Sequence, residues 1–178
     1  MPNYADIVKS TNPAANGGGY KNVFLFAPRA DFLDIKTPSA LGAVIGDTLE
    51  ISTAHTFTAP AGFLSWDTQQ HSVVLTGASV GEDGAKEMEW TGKFNVIGDS
   101  ASTQEQLSKL LNDDIIALVK ESDCLVSDSY VQLGDECVSP SFSVEFNSNN
   151  TKEGKKVYNV TMVCKKKFFY TGTVTMAS

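Results

Sequence analysis

Few residues of this chain have the type and spacing that catalysis needs. Nucleophilic catalysis requires a Ser or Cys beside a His that a carboxylate orients, and the chain has only 2 histidines. His55 ends a strand-like segment among threonines, which favours a hydrogen-bonded structural role. His71 follows Asp67 by four residues, a spacing that joins side chains only on a helix, and no helical pattern covers it. The sequence therefore predicts no histidine-based active site.

Carboxylate pairs could act as general acid and base, or as metal ligands. They occur at Asp113–Asp114 and at Glu82–Asp83. Neighbours on a strand point to opposite faces, which works against the first pair, and Gly81–Gly84 predicts a turn around the second. Gly17–Gly19 lacks the Lys-Ser/Thr sequence of a phosphate-binding loop. We therefore expect no enzyme, no metal site and no cofactor.

Aromatic residues offer another kind of surface. Trp66 or Trp90 could form a carbohydrate-binding platform, but their positions on apolar strand phases favour a core or a subunit interface. Phe168, Phe169 and Tyr170 are consecutive, so on a strand they must occupy both faces. We interpret these three as candidate inter-subunit residues; the alternative is that both faces are buried within one copy.

Charge and composition narrow the function classes. The chain has 178 residues and a net charge of -7, which argues against a duplex-binding surface of clustered Lys and Arg. Lys165–Lys167 is the one basic run, and we interpret it as a solvated or edge-protecting face in preference to a phosphate or membrane patch. Cys124, Cys137 and Cys164 fit neither a zinc site nor a disulfide scaffold, so we expect free buried thiols.

Targeting signals are not evident. Asp6 interrupts the N-terminal region, which has no apolar core of a signal peptide, and no apolar run approaches the roughly 20 residues of a membrane span. We therefore expect synthesis and use without export and no membrane partner.

The elements that would position these residues are mostly strands. Residues 1–20 predict a flexible N-terminal arm and residues 21–178 a single domain. In the first half, strand-like segments are Asn22–Ala27, Asp47–His55, Ser72–Thr76 and Glu87–Ile97. The last alternates most clearly, with Glu87 and Glu89 on its polar face.

One helix is predicted at about residues 102–112. Ser102 would be its N-cap, Glu105 would complete a capping box, and Leu107, Leu110 and Leu111 form an apolar stripe. Such a helix would flank the strands.

Strand patterns resume after the helix. Ile115–Val119 predicts a buried strand, hairpinned to Ser129–Leu133; Ser141–Phe146 alternates, and a strand begins near Val157 and continues to Tyr170. The order indicates a mainly β protein, an antiparallel β-sandwich or barrel with one flanking α-helix.

From Gly92 onward the chain resembles the phage tail tube protein family, especially in phages of Bacteroidetes-like hosts. The resemblance rests on the helix, the apolar strand Asp114–Lys120 hairpinned into Tyr130–Gly134, and a long closing hairpin that ends at Tyr170–Gly172. It implies subunits that form rings, expected to be hexameric, which stack into a tube around a shared inner barrel. No active-site residues accompany the family.

The resemblance implies that the partners are other copies of the same chain and other virion proteins. It implies contact with DNA only as passing cargo. An acidic lumen would let DNA slide because like charges repel, and Glu87 and Glu89 are the candidate lumen-facing residues. The expected location is the virion, assembled in the host bacterial cytoplasm. The alternatives are a head-tail connector, a stopper or a decoration protein, and a carbohydrate-binding β-sandwich module.

Overall fold

The structure is a computed structural model that describes residues 20–38, 47–121, 130–149 and 154–178. The strands in these residues are β1 (Tyr20–Pro28), β2 (Phe32–Asp34), β3 (Glu50–Ile51), β4 (Thr56–Phe57), β5 (Leu64–Asp67), β6 (Val74–Val80), β7 (Glu87–Ile97), β8 (Ile115–Glu121), β9 (Tyr130–Leu133), β10 (Ser141–Asn147), β11 (Val157–Cys164) and β12 (Lys167–Tyr170). The helix is α1 (Ala101–Leu110), and short 3-10 turns cover Arg29–Asp31 and Asp47–Leu49. The predicted arm lies outside the described residues except for Tyr20, which begins β1.

A six-stranded sheet forms the centre of the fold, in the order β3-β12-β9-β8-β1-β5. Its middle strands are apolar on both faces. On β8, Ile115, Ala117 and Val119 pack into one core cluster, whereas Ile116 and Leu118 pack into a second. A continuous apolar run is what a strand buried on both sides requires, so the predicted buried strand and its hairpin to β9 are confirmed.

A four-stranded antiparallel sheet, β10-β11-β7-β6, covers one face of the central sheet. The larger core cluster lies between the two sheets and includes Phe24, Phe94 and Val160. The rings of Phe24 and Phe94 stack with their centroids 4.4 Å apart. Helix α1 connects β7 to β8 and places Leu107 and Leu110 in the same cluster.

The second face of the central sheet is covered by shorter elements. The two-stranded sheet β2-β4 and the C-terminal segment pack there, with Phe63 and Tyr170 in the core cluster. Phe63 also forms a parallel bridge with Met176. The fold class predicted from sequence, a mainly antiparallel β-sandwich with one flanking helix, is confirmed.

The start of α1 differs from the prediction. Ser100, not Ser102, is the N-cap, and its Oγ accepts the Thr103 N–H at 3.1 Å. Glu105 lies too far along the helix for a capping box and instead forms an i,i+4 ion pair with Lys109. Leu111, predicted to belong to the apolar stripe, is the C-cap and is 43% exposed.

Three strand predictions need correction. Only Glu50–Ile51 of Asp47–His55 forms a strand, because this segment covers a sheet edge instead of crossing the sheet. The strand predicted at Ser72–Thr76 is β6, which continues to Val80. The closing hairpin is shorter than predicted: β11 ends at Cys164 and β12 pairs with β9 in the other sheet, because the chain passes from one sheet to the other at Lys165 and Lys166.

The single helix in the described part of the chain is too short to cross a membrane.

Candidate functional site

His55 lies inside the protein and is fully hydrogen-bonded. Its Nδ1 accepts the backbone N–H of Lys36 at 3.0 Å, which leaves the proton on Nε2, 2.9 Å from Gln132 Oε1. The ring stacks on Tyr170 with centroids 4.9 Å apart. Burial lowers the pKa of His55, and the Gln132 hydrogen bond opposes that effect. These hydrogen bonds join the segment around Lys36 to Gln132 of the central sheet, so His55 has a structural role.

His71 is exposed and has a φ of 60°. Its backbone N–H donates to Asn22 Oδ1 at 3.2 Å, so this residue closes the turn between β5 and β6. The structure does not bring His71 together with His55, whose ring is buried against Phe63 and Tyr170 in the second core cluster.

The carboxylate pairs take part in local contacts. Asp114 forms an ion pair with Arg29 at 3.2 Å. Burial raises the pKa of Asp31, and nearby Asp113 raises it further. Asp83 pairs with Lys86 at 2.6 Å in the β6-β7 turn. Among the described residues, no group of three or more His, Cys, Asp or Glu is arranged to hold a metal ion.

The cysteines differ in environment. Cys164 is buried, as expected, and burial raises the pKa of its thiol. Cys137 is exposed, contrary to the prediction, because it lies in a surface turn where its N–H donates to Asp135 Oδ1. Cys124 lies outside the described residues.

The two tryptophans have different roles. Trp66 is completely buried in the core between the sheets. Trp90 is half-buried and covers Gly77, where an added Cβ would lie 2.6 Å from Trp90 Cζ3. Lys167 Nζ lies 4.2 Å from the centroid of the Trp90 ring and 4.6 Å from that of Phe169. The solvent-exposed tryptophan that a carbohydrate platform would need is therefore not Trp66.

The three consecutive aromatics on β12 are divided between core and surface. Tyr170 is fully buried and Phe168 is 9% exposed, so the chain's own core covers both. Phe169 is 43% exposed. Of this candidate inter-subunit set, Phe169 is the residue with a largely exposed ring.

In the part of the chain that the structure describes, the four-stranded sheet has an open edge on each side. Within the described ranges, β6 and β10 each hydrogen-bond to one neighbouring strand. Both are seven residues long and pair without a register shift. Edge strands are usually protected by charge, proline, a bulge or short length, yet β6 has neither charge nor proline and β10 has one charge, Glu145. By contrast, the central sheet ends in β3 and β5, of two and four residues.

The side of this sheet that points away from the core is polar, and we call it the outer face. Strand phase and pairing place on it Val74, Thr76, Ala78, Val80, Glu87, Glu89, Thr91, Lys93, Asn95, Ile97, Ser141, Ser143, Glu145, Asn147, Val157, Asn159, Thr161 and Val163. Glu87 and Glu89 therefore share this face with a third carboxylate, Glu145, against a single lysine, Lys93. Glu87 also pairs with Lys165 at 3.1 Å.

Sequence reasoning missed the two open edges, which are the most distinctive feature of the sheet. The end of β6, Gly77–Val80, has low strand propensity because Gly, Ala and Ser dominate it. The sequence did carry a usable signal, because the predicted Gly81–Gly84 turn directly precedes the clear strand β7 and so indicates a hairpin. In the structure Gly81 and Gly84 have φ of 106° and 90°. That hairpin implies a second strand as long as the paired part of β7.

Comparison of the chain with protein-family models, with curated proteins and with solved structures found no match.

Proposed function

We propose that this protein is a structural subunit of a phage virion that assembles into rings, and that the rings stack as a tail tube. The open edges of the four-stranded sheet are the observation on which this proposal depends. A β-sheet edge presents unpaired backbone N–H and C=O groups that another chain can satisfy. Two such edges on one subunit allow the same contact to repeat from copy to copy.

The directions of the strands suit a closed ring. Each neighbouring pair in the order β10-β11-β7-β6 is antiparallel, so β6 runs opposite to β10. When β6 of one copy lies beside β10 of the next, the junction is also antiparallel, and the ladder continues without a change in pattern. A head-to-tail contact of this kind gives a ring if its rotation closes.

The expected ring of six copies would join six sheets of four strands. At about 4.8 Å between strands and a tilt of about 40°, such a barrel is roughly 48 Å across. Barrels of about 16 strands already enclose an aqueous channel. The outer face would line this channel, while the apolar inner faces would pack against each subunit's own core.

The chemistry of the outer face supports DNA as passing cargo. DNA carries about one charge per 1.7 Å of axis, and proteins bind it by neutralising phosphates with Lys and Arg. The outer face has Glu87, Glu89 and Glu145 against Lys93, with mostly Ser, Thr, Asn and Val between them. A lining of this composition would not hold the phosphates, so the DNA could slide.

Negative-stain electron microscopy and light scattering of the concentrated protein test the proposal. We expect rings or tubes, and a double variant with like charges on both edges, Ala78→Lys with Ser143→Lys, should remain monomeric. The double variant Asn159→Lys with Thr161→Lys adds the same charge to the outer face of the inner strand β11, away from both edges, and serves as the matched control that should still assemble. Protein that stays strictly monomeric at high concentration would refute the proposal.

The form of the assembly distinguishes the virion roles. Stacked sixfold rings support a tail tube. Single rings that do not stack would instead favour a connector or stopper, and isolated copies bound to capsids would favour decoration.

A further inference from the structure

We infer that the β6 edge of one copy pairs with the β10 edge of the next in a single register, in which Ser141 lies opposite Val80 and Asn147 lies opposite Val74. This inference rests on the proposed ring and specifies the contact that holds it. The two edges have the same length, seven residues each, and this register is the one in which every residue of both edges is paired.

The register also keeps the two faces of the sheet continuous. Ser141, Ser143, Glu145 and Asn147 belong to the outer face, as do Val80, Ala78, Thr76 and Val74. Full overlap places these residues opposite one another in that order. A shift by one residue would put polar positions of one copy opposite core-facing positions of the next, which the side-chain period of two forbids where one face is buried.

Residue sizes on the core-facing side are complementary. β10 presents Phe142, Val144 and Phe146, and Phe146 is 48% exposed in the single copy. In the inferred register these face Ser79, Gly77 and Leu75 of the neighbour, so the larger side chains of β10 meet small residues or a leucine. The open apolar end of β10 would thereby be covered.

Gly77 has a particular place in this contact. The neighbour's Trp90 ring covers its Gly77, leaving no room there for a Cβ. Val144 lies opposite Gly77 in the inferred register and so meets the half-buried Trp90 ring instead of a side chain at position 77. Aromatic and aliphatic side chains that meet across neighbouring strands stabilise the pairing of those strands.

The register produces a stagger that suits barrel closure. Within one copy Thr76 lies opposite Thr91, Thr91 opposite Val163, and Val163 opposite Ser141. Ser141 then meets Val80 of the neighbour, four residues beyond Thr76. Four residues at about 3.3 Å over four strand spacings of about 4.8 Å give a tilt of roughly 35°, at the lower limit of the usual range for barrels.

Registers shifted by two residues still place outer-face residues opposite one another, but they fit less well. Moving one edge by two residues leaves two residues unpaired at each end. The stagger becomes two or six residues per copy, which corresponds to a tilt of about 19° or about 46°. The first of these is too flat for a typical barrel, and both expose part of an edge.

Disulfide cross-linking tests the register. We would make two separate double-cysteine variants with matched pairs. One is Ser143→Cys with Ala78→Cys, and the other is Glu145→Cys with Thr76→Cys. Both carry Cys124→Ser and Cys137→Ser, which remove two native cysteines. The mismatched pairs, Ser143→Cys with Thr76→Cys and Glu145→Cys with Ala78→Cys, recombine the same substitutions and are the controls. Opposite residues on antiparallel strands have Cα atoms about 4.5 to 5.5 Å apart, within disulfide range.

Cross-links can form only between copies, because β6 and β10 of one copy are three strand spacings, about 14 Å, apart. After mild oxidation we expect both matched pairs to give a ladder of covalent oligomers that ends at the ring size. The mismatched pairs should give at least tenfold less cross-linked product.

The outcomes separate this inference from the proposed function. Rings that cross-link through the mismatched pairs, or through none of the four, would overturn the register and leave the ring-forming function intact. Protein that neither cross-links nor forms rings would overturn both.

Discussion

Lowering the pH from 7 to 5 should destabilise this protein through His55. Nδ1 of the neutral ring accepts the Lys36 N–H, and Nε2–H donates to Gln132 Oε1. A proton added to Nδ1 would face another N–H donor, so the contact with Lys36 must break. Protonation is further opposed because the residue is only 4% exposed.

The direction and size of this change in the free energy of unfolding follow from the difference between the pKa of His55 in the folded and in the unfolded chain. Burial lowers the pKa of folded His55 below the value of 6.5 expected in the unfolded chain. The stabilisation is therefore complete above the unfolded pKa and is lost as the pH falls toward the folded pKa. One proton gives a slope of about 1.4 kcal/mol per pH unit, so the free energy of unfolding should fall by at most about 2 kcal/mol between pH 7 and pH 5.

Two charged groups affect the pKa of His55, and one other carboxyl group changes stability over acidic pH. The Asp34 charge raises the pKa of His55 and the Lys36 charge lowers it, both less than burial does. Asp31 acts in the opposite direction: its raised pKa means that its contribution to stability increases as the pH falls. Asp31→Asn should therefore make the overall fall in stability below pH 7 steeper, or leave it unchanged.

The assay is urea unfolding at pH 5, 6 and 7, followed by the fluorescence of buried Trp66. His55→Gln should remove most of the pH dependence, because glutamine can still accept from Lys36 and donate to Gln132 but does not titrate. The exposed His71→Gln is the matched control and should retain it. A wild-type stability that is equal at pH 5 and pH 7, or an unchanged slope in His55→Gln, would show that the network does not couple to protonation.

Three further predictions concern the helix and one turn. Ser100→Ala should lower the free energy of unfolding by about 1 kcal/mol through loss of the N-cap, whereas Ser102→Ala should change it by less than about 0.5 kcal/mol; equal effects in chemical denaturation would contradict the assignment. Leu110→Ala should cost about 2 to 5 kcal/mol because its side chain is fully buried, while the half-exposed Leu111→Ala should cost far less, and thermal melting would compare them. Gly134→Ala should destabilise by at least about 1 kcal/mol, since φ is 94° and a Cβ would lie 2.9 Å from Pro140 Cδ; an unchanged melting temperature would disprove this.

Local patterns predicted some elements well. The alternation of Glu87–Ile97 and the apolar run Ile115–Val119 correspond closely to β7 and β8, because each pattern reflects how many faces of the strand are buried. The helix was predicted to within two residues of its true bounds. Its N-cap was misassigned because Ser100 and Ser102 both precede the apolar stripe, and only the backbone conformation distinguishes them.

The candidate site was harder to predict. The phase of β7 placed Glu87 and Glu89 on its polar face, and the structure agrees on that face. The edges could not be recognised, because a strand is an edge only by virtue of which strands lie beside it. β12 shows the same limit: its aromatic pattern continues that of β11, yet the chain changes sheet at Lys165 and Lys166.

The sequence by itself determined the class of the fold, since the period of its apolar residues is set by the geometry of strand and helix and needs no distant partner. It also determined that the outer face is polar, because alternation separates the two sides of each strand. Only the tertiary structure decided that His55 is enclosed by Gln132 and Tyr170, and that β6 and β10 end the same sheet. Those facts depend on contacts between residues far apart in the chain, which local propensity does not encode.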